Sequence, residues 1–294
     1  VVAFYAVLRL GAIVVEHNPL YSAEELAHQL ADHGAKVVVC WEKTAEVVHA
    51  TADRTSVETI VTVDLSAAMP LRMRLALRLP VPTARRARAQ LRGPLPPGAL
   101  SWERLIAAAP SLDPAVGGPG VNDVALLQYT GGTTGTPKGA VLTHRNLIAN
   151  ATQGRAWVPG LKDGEETILA VLPLFHAYGL TLCLTFAVYI GACLVLLPRF
   201  EPDQVIAAVR RRPPTFLPGV PPLYERLVDA AEASGADLPS IKFAISGAMS
   251  LPEHIVERWE RATGGLLVEG YGMTETSPVT VGNPVAPTRR PGTV

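Results

Sequence analysis

The sequence predicts an α/β protein built as two alternating β-α layers with parallel sheets. Three observations carry that prediction. Short apolar runs alternate with amphipathic helical segments in residues 1–63, and again from residue 124 onward. Helix-start and helix-stop residues punctuate that alternation. A segment without Asp, Glu, Lys or Arg, residues 167–198, has the composition of a strand–helix–strand unit covered on both sides. The expected division is a first α/β subdomain over 1–123 and a second over 124–294.

In the first subdomain, Phe4, Val7, Leu8 and Leu10 form a helical apolar pattern that ends at Gly11. Ala12-Ile13-Val14-Val15 follows as an apolar run. Ser22, with Glu25 three residues later, predicts a capping box at the start of a helix that ends at Gly34. A strand is expected over 36–40, a helix over 42–50 and a strand over 59–63.

Residues 66–100 interrupt the alternation. Arg72, Arg74, Arg78, Arg85, Arg86, Arg88 and Arg92 occur with no acidic residue between Asp64 and Glu103. Leu71, Met73, Leu75, Leu77 and Leu79 are interleaved with them. Pro70, Pro80, Pro82, Pro94, Pro96 and Pro97 argue against one long helix. The segment reads first as a solvated, partly flexible insertion with its arginines facing water. Peripheral contact with a membrane through 70–92 is the alternative reading.

A short helix and a Pro/Gly-rich linker occupy 101–124. Beyond them, strands are expected over 124–130, 167–172, 192–197, 215–217, 241–245 and 266–269. Helices are expected over 143–153, 179–190, 202–212, 221–233 and 252–263. Pro202, Pro221 and Pro252 sit at first-turn positions, where the missing N–H is not needed. Pro173, His176, Gly179, Gly191 and Pro198 cut the charge-free segment into pieces too short to cross a bilayer.

Bulk properties narrow the function classes. The chain has 294 residues and zero formal net charge, so no global field draws it to nucleic acid. Cys40, Cys183 and Cys193 lie far apart, without metal-ligand spacing. They read as buried free thiols in a reducing, cytoplasmic compartment. Asn150-Ala151-Thr152 matches a glycosylation sequon and is read as accidental. The chain begins with Val1 and an uncapped apolar helix, and it stops at Val294 without a closing element. It therefore reads as a portion of a longer protein, truncated at both ends.

The chemistry concentrates in Tyr129-Thr130-Gly131-Gly132-Thr133-Thr134-Gly135-Thr136-Pro137-Lys138-Gly139-Ala140. These twelve residues hold four glycines, four threonines and one lysine. Glycines let backbone N–H groups converge on one point, hydroxyls add neutral donors, and Lys138 adds positive charge. Thr143 is expected to cap the following helix, whose positive end would face the same point. Together these features predict a phosphate site. It is not a Walker A loop, because Lys138 follows Pro137 and precedes Gly139.

Three further motifs sit after predicted strands. Tyr271-Gly272-Met273-Thr274-Glu275-Thr276 offers an aromatic face, a hydroxyl and a hard oxygen ligand suited to Mg²⁺. Ser246-Gly247-Ala248-Met249 is a turn and not a nucleophile elbow, since Ala244 stands where that motif has glycine. Leu172-Pro173-Leu174-Phe175-His176-Ala177-Tyr178-Gly179 places one histidine among apolar residues. Such a histidine is by itself more often a core residue than a catalyst.

Taken together, these motifs resemble the AMP-forming, acyl-adenylating superfamily, which includes acyl-CoA ligases, adenylation domains and luciferases. The resemblance covers nearly the whole chain. The segment from Val14 to Tyr21, the Arg/Pro-rich insertion and the segment from Leu172 to Gly179 look most like bacterial long-chain fatty acyl-CoA ligases. The resemblance implies the N-terminal domain of that fold, with ATP, Mg²⁺ and coenzyme A as reaction components and a fatty acid or other carboxylic acid as substrate. It implies that Thr130, Gly131, Gly132, Thr133, Thr134, Gly135 and Lys138 hold phosphates. Gly247, Ala248, Met249, Glu269, Gly270, Tyr271, Gly272, Met273 and Thr274 would complete the nucleotide site. Thr134 and Glu275 would bind Mg²⁺, while Lys138, Thr274, Glu275 and His176 would form the catalytic set.

Two alternatives share the same loop. One is a fatty acyl-AMP ligase or other adenylate-forming ligase; the other is a nucleotide-binding portion without activity by itself. The chain ends before the family's ribose-binding aspartate, its hinge and the C-terminal domain with its catalytic lysine. The chain alone is therefore expected to be poorly active.

Overall fold

Twelve strands are present in the computed structural model, which describes residues 1–113, 115–131, 135 and 137–294. In chain order they are β1 (Val14–Glu16), β2 (Val37–Trp41), β3 (Thr59–Val63), β4 (Leu100–Ser101), β5 (Val124–Thr130) and β6 (Lys138–Thr143). They continue with β7 (Thr167–Ala170), β8 (Cys193–Leu196), β9 (Phe216–Gly219), β10 (Phe243–Ser246), β11 (Leu266–Gly272) and β12 (Val279–Gly282). Gly132, Thr133 and Thr134 of the predicted phosphate loop lie outside the described residues.

The chain divides into two compact units, residues 17–117 and residues 1–16 with 118–294. The first contains the parallel sheet β2-β3-β4. The predicted capping box is present: Ser22 Oγ accepts from Glu25 N, and the Glu25 carboxylate accepts from Ser22 N at 2.9 Å. The helix Ala23–His33 then buries Leu26 and Leu30 against Val48 and Ile60. It ends at Gly34, whose φ of +64° suits a residue without Cβ. The Arg/Pro-rich insertion forms two short helices, Leu71–Ala76 and Pro82–Leu91.

In the second unit, β1 pairs in parallel with β5, and β5 pairs antiparallel with β6. Residues 1–16 therefore associate with the later part of the chain, whereas the sequence grouped them with 1–123. The pairing also corrects the reading of the glycine–threonine segment. It joins two strands of a hairpin and does not lead straight into a helix. Gly139, Ala140, Val141 and Leu142 extend alongside Tyr129, Gln128, Leu127 and Leu126, and the helix His144–Trp157 starts only after β6. Its Thr143 cap is as predicted, but that cap is the last residue of β6, five strand residues after Pro137.

The larger sheet has the order β12-β11-β10-β9-β7-β8 and is parallel except for β12. Consecutive strand residues point to opposite faces. Leu169, Leu217 and Leu267 pack on one side against the helices Pro202–Arg211, Pro221–Ser234 and Glu253–Thr263. Ile168, Phe216 and Val268 pack on the other against Val158, Phe186 and Ile190. Burial on both faces is why these strands read as continuous apolar runs.

The charge-free segment is the expected strand–helix–strand unit. β7 and β8 lie side by side, joined through a continuous helical stretch over 177–189. The middle of that stretch, Leu180–Thr185, widens to i→i+5 turns and is buried throughout. No helix among the described residues is long and apolar enough to cross a membrane.

Candidate active site

A cavity of about 610 Å³ opens where β10 and β11 end. That volume lies in the usual range for small-molecule sites. The carboxyl ends of parallel strands are where a doubly wound sheet exposes unpaired backbone and loops.

Two tyrosines tie these strand ends together. Tyr178 shares its hydroxyl hydrogen between Ile245 O at 2.5 Å and Gly219 O at 3.1 Å. Tyr224 reaches the same Ile245 carbonyl at 2.8 Å and Leu217 O at 3.0 Å. Burial holds both phenols well above their ordinary pKa, so they act as neutral donors. A Cβ on Gly247 would lie 3.1 to 3.4 Å from the Tyr178 ring, so glycine lets the Ser246–Met249 turn rest closely on that ring. The next residue, Ala248, adopts the left-handed φ of +66°.

His176 begins the 177–189 helical stretch. Its Nδ1 accepts from Tyr178 N at 3.4 Å, which leaves the proton of the neutral ring on Nε2. The ring is open to the cavity, yet the surrounding protein desolvates it and lowers its pKa. Near neutral pH it is a neutral hydrogen-bond donor.

The opposite wall is made by β11, the turn Thr274–Thr276 and β12. At Gly272 a Cβ would fall 2.1 Å from Pro278 O, so only glycine permits this crossing of chains. Thr276 fastens the turn by accepting from Met273 N at 3.1 Å. The helix His144–Trp157 seats β12. Asn150 Nδ2 donates to Val279 O at 2.8 Å, its Oδ1 accepts from Val279 N at 3.3 Å, and Trp157 Nε1 donates to Asn283 O at 3.0 Å. Asn150 is buried in this role, which leaves the sequon without an accessible acceptor.

Of the sequence-predicted residues, His176, Gly247, Ala248, Glu269, Gly270, Tyr271, Gly272, Met273 and Thr274 line this cavity. Glu269 is buried and accepts from Leu251 N at 3.0 Å, so it also braces the loop after β10. Met249 is 57% exposed and does not line the cavity. Thr130, Gly131, Gly135, Lys138 and Glu275 are likewise outside the lining, although β6, which begins at Lys138, packs against the Thr274–Thr276 turn. Sequence reasoning missed Asn150, Gln153, Trp157, Tyr178, Thr276 and the whole of β12. One signal was available: Asn150 is a polar residue on the helix face that carries Leu147 and Ala151.

With this geometry, comparison with known proteins is decisive. The family model described as AMP-binding enzyme matches residues 1–294. The chain belongs to that family. The family is part of the adenylate-forming ligase superfamily, and the mixed α/β fold with parallel sheets matches its N-terminal domain. A long-chain-fatty-acid–CoA ligase from Bacillus subtilis (strain 168) is 34% identical over 304 aligned residues, covering 100% of this chain and 52% of that protein. The anthranilate CoA ligase AuaEII, solved in complex with anthranoyl-AMP, superposes with a TM-score of 0.80 at 26% identity, covering 99% of this chain and 51% of that one. ATP-bound MatB from Rhodopseudomonas palustris gives 0.76 at 27% identity, covering 100% and 51%. The chain thus spans about half the length of the relatives it matches.

Proposed function

We propose that the whole protein is an AMP-forming acyl-CoA ligase acting on fatty acids, and that these 294 residues supply its ATP and carboxylate sites. One observation carries the reading: a single cavity unites His176, the Gly247–Ala248 turn and the Tyr271–Thr274 segment. The names of the relatives, a long-chain-fatty-acid–CoA ligase among them, support the substrate class.

In this reading a carboxylate attacks the α-phosphorus of ATP and pyrophosphate leaves. The thiol of coenzyme A then attacks the acyl-adenylate carbonyl and AMP leaves. Tyr271 borders the adenine, Gly247 and Ala248 line its pocket, and Thr274 donates its hydroxyl to the α-phosphate. Thr130, Gly131, Gly132, Thr133, Thr134, Gly135 and Lys138 hold the departing phosphates by positioning and charge. His176 offers its Nε2 proton to the substrate carboxylate. The apolar side chains of Val158, Leu182 and Val268 would face the acyl group.

Mg²⁺ fits as a partner of the nucleotide. Glu275 is an exposed carboxylate with no ion pair among the described residues, and no cluster of three or more His, Cys, Asp or Glu is present among them. A single carboxylate suits an ion that takes most of its ligands from phosphate and water. Glu275 and Thr134 would hold it, and when bound it would neutralise phosphate charge.

ATP–pyrophosphate exchange by the full-length protein, run against a panel of carboxylic acids, tests the reading. Exchange dependent on a fatty acid, reduced by Thr274→Ala and His176→Ala, is expected. Absence of acid-dependent exchange would overturn it. Residues 1–294 alone are expected to bind ATP weakly and to form hydroxamate-trappable adenylate roughly 10²–10³ times more slowly.

A further inference from the structure

The proposed chemistry leaves the Arg/Pro-rich insertion unused, and the structure gives it a definite form. Its second helix, Pro82–Leu91, is firmly attached. Ala84 is buried, while Trp41 Nε1 donates to Leu91 O at 2.6 Å. Arg92, just beyond, donates to the buried carboxylate of Glu42 at 2.8 Å and lies 3.5 Å from Asp64. Gly93 presses against the backbone of Glu42 and Lys43, where a Cβ would come within 2.8 Å. Arg86 lies on the helix side opposite Ala84 and Arg85 on its flank, and both are exposed.

The first helix buries nothing. Leu71, Met73, Leu75 and Leu79 are 67%, 50%, 53% and 54% exposed. Leu71 and Leu75 stand four residues apart, on one side of the helix. Arg72, Arg74 and Arg78 are interleaved with them and also exposed. Arg72, Arg74, Arg78, Arg85, Arg86 and Arg88 make no ion pair among the described residues. Among the described residues, the arginine of the segment with an ion pair is Arg92, which anchors it.

A purely solvated insertion accounts for the arginines but not for four exposed large apolar side chains placed among them. Exposed apolar side chains interleaved with cations that make no ion pair among the described residues complement one kind of surface: anionic headgroups over a hydrocarbon layer. A nucleic acid would satisfy the arginines and leave the leucines in water. We propose that residues 71–92 are a docking surface for an anionic lipid bilayer. Leu71, Met73, Leu75 and Leu79 enter the interface, and Arg72, Arg74, Arg78, Arg85 and Arg86 lie over the headgroups. This assignment is independent of the reaction catalysed.

Co-sedimentation of the purified protein with vesicles of phosphatidylcholine, alone or mixed with phosphatidylglycerol, tests it. Recovery with the mixed vesicles and not the neutral ones is expected, falling as NaCl rises from 0.05 to 0.5 M. The triple variant Arg72→Ser/Arg74→Ser/Arg78→Ser should weaken partitioning roughly a hundredfold. Leu71→Ser/Leu75→Ser should weaken it at constant charge. These side chains are exposed, and an unchanged urea midpoint verifies that each variant is folded. Equal recovery on neutral and anionic vesicles would overturn the proposal, as would salt-independent recovery or wild-type recovery of the triple variant. Salt-sensitive capture of duplex DNA without capture of anionic vesicles would also overturn it, in favour of a polyanion site.

Discussion

Glu16 and Gln128 are register partners on the parallel strands β1 and β5, with Gln128 Nε2 3.5 Å from the Glu16 carboxyl. The same amide nitrogen donates to Phe175 O at 3.1 Å, in the turn that precedes His176. Gln128 Oε1 is buried without a hydrogen-bond partner among the described residues. The surroundings suit a neutral carboxyl: desolvation pushes the Glu16 pKa up to about 8.

That shift sets a direction for the pH dependence of stability. The folded-state pKa is above the ordinary value, so the folded protein keeps a proton that the unfolded chain releases. The contribution is fully present below about pH 4.5 and is lost as pH rises through about 8. Glu16→Gln should raise stability at pH 8 by about 2–4 kcal/mol and change little at pH 4.5. Urea denaturation of both proteins at the two pH values checks this. Parallel pH profiles would show that Glu16 is not held neutral.

A second titrating pair has the opposite sign. Ala35 N donates to His33 Nδ1 at 3.1 Å, His33 Nε2 lies 3.1 Å from His17 Nε2, and His17 Nδ1 lies 2.9 Å from Gln29 Oε1. The bonds run in one direction when both rings are neutral. Burial, then the proximity of His17, lowers the His33 pKa to about 4, against the pull of Asp32. The unfolded chain therefore takes up a proton first, and stability falls as pH drops from 6.5 towards 4. His33→Gln should remove on the order of 1 kcal/mol of that acid sensitivity, allowing for solvent screening of a half-exposed ring. Amide hydrogen exchange in the helix Ala23–His33 at pH 4.5 and 7 is the measurement.

Tyr178→Phe removes the hydroxyl that bridges Gly219 and Ile245 while keeping the ring on which Gly247 rests. The expected loss is about 1–2 kcal/mol, because Tyr224 still satisfies Ile245 O. ATP affinity should fall with it if the Gly247–Ala248 turn is the adenine wall. Unchanged affinity in a destabilised Tyr178→Phe protein would separate the turn from nucleotide binding.

Ala248→Gly should stabilise the protein by up to about 1 kcal/mol, since the left-handed conformation penalises a Cβ. Ala248→Val should destabilise it by about 1–2 kcal/mol through the same strain. Thermal melts of the two variants moving in opposite directions would verify the backbone assignment. A shift in the same direction would contradict it.

Much of the site was legible because its parts are local. Tyr271-Gly272-Met273-Thr274, Gly247-Ala248 and His176 each follow or join a strand that periodicity reveals, and all line one cavity. Asn150 was not legible in its role, since its partner Val279 is 129 residues away. Tyr178 reads as one more aromatic in an apolar run until Gly219 and Ile245 converge on its hydroxyl. Lys138 and Glu275 were legible as chemistry but stand outside the cavity lining.

By itself the sequence determined the alternating layers, the Ser22 and Thr143 caps, the family motifs and the apolar unit of the central sheet. Those properties depend on residue type and on spacings of two to four residues, which the chain carries wherever it folds. Only the tertiary structure decided that Lys138 opens a hairpin strand, that β1 joins β5, and that β12 closes the cavity wall. Strand pairing and cavity closure depend on backbone hydrogen bonds between distant segments, and every residue except proline offers the same donor and acceptor.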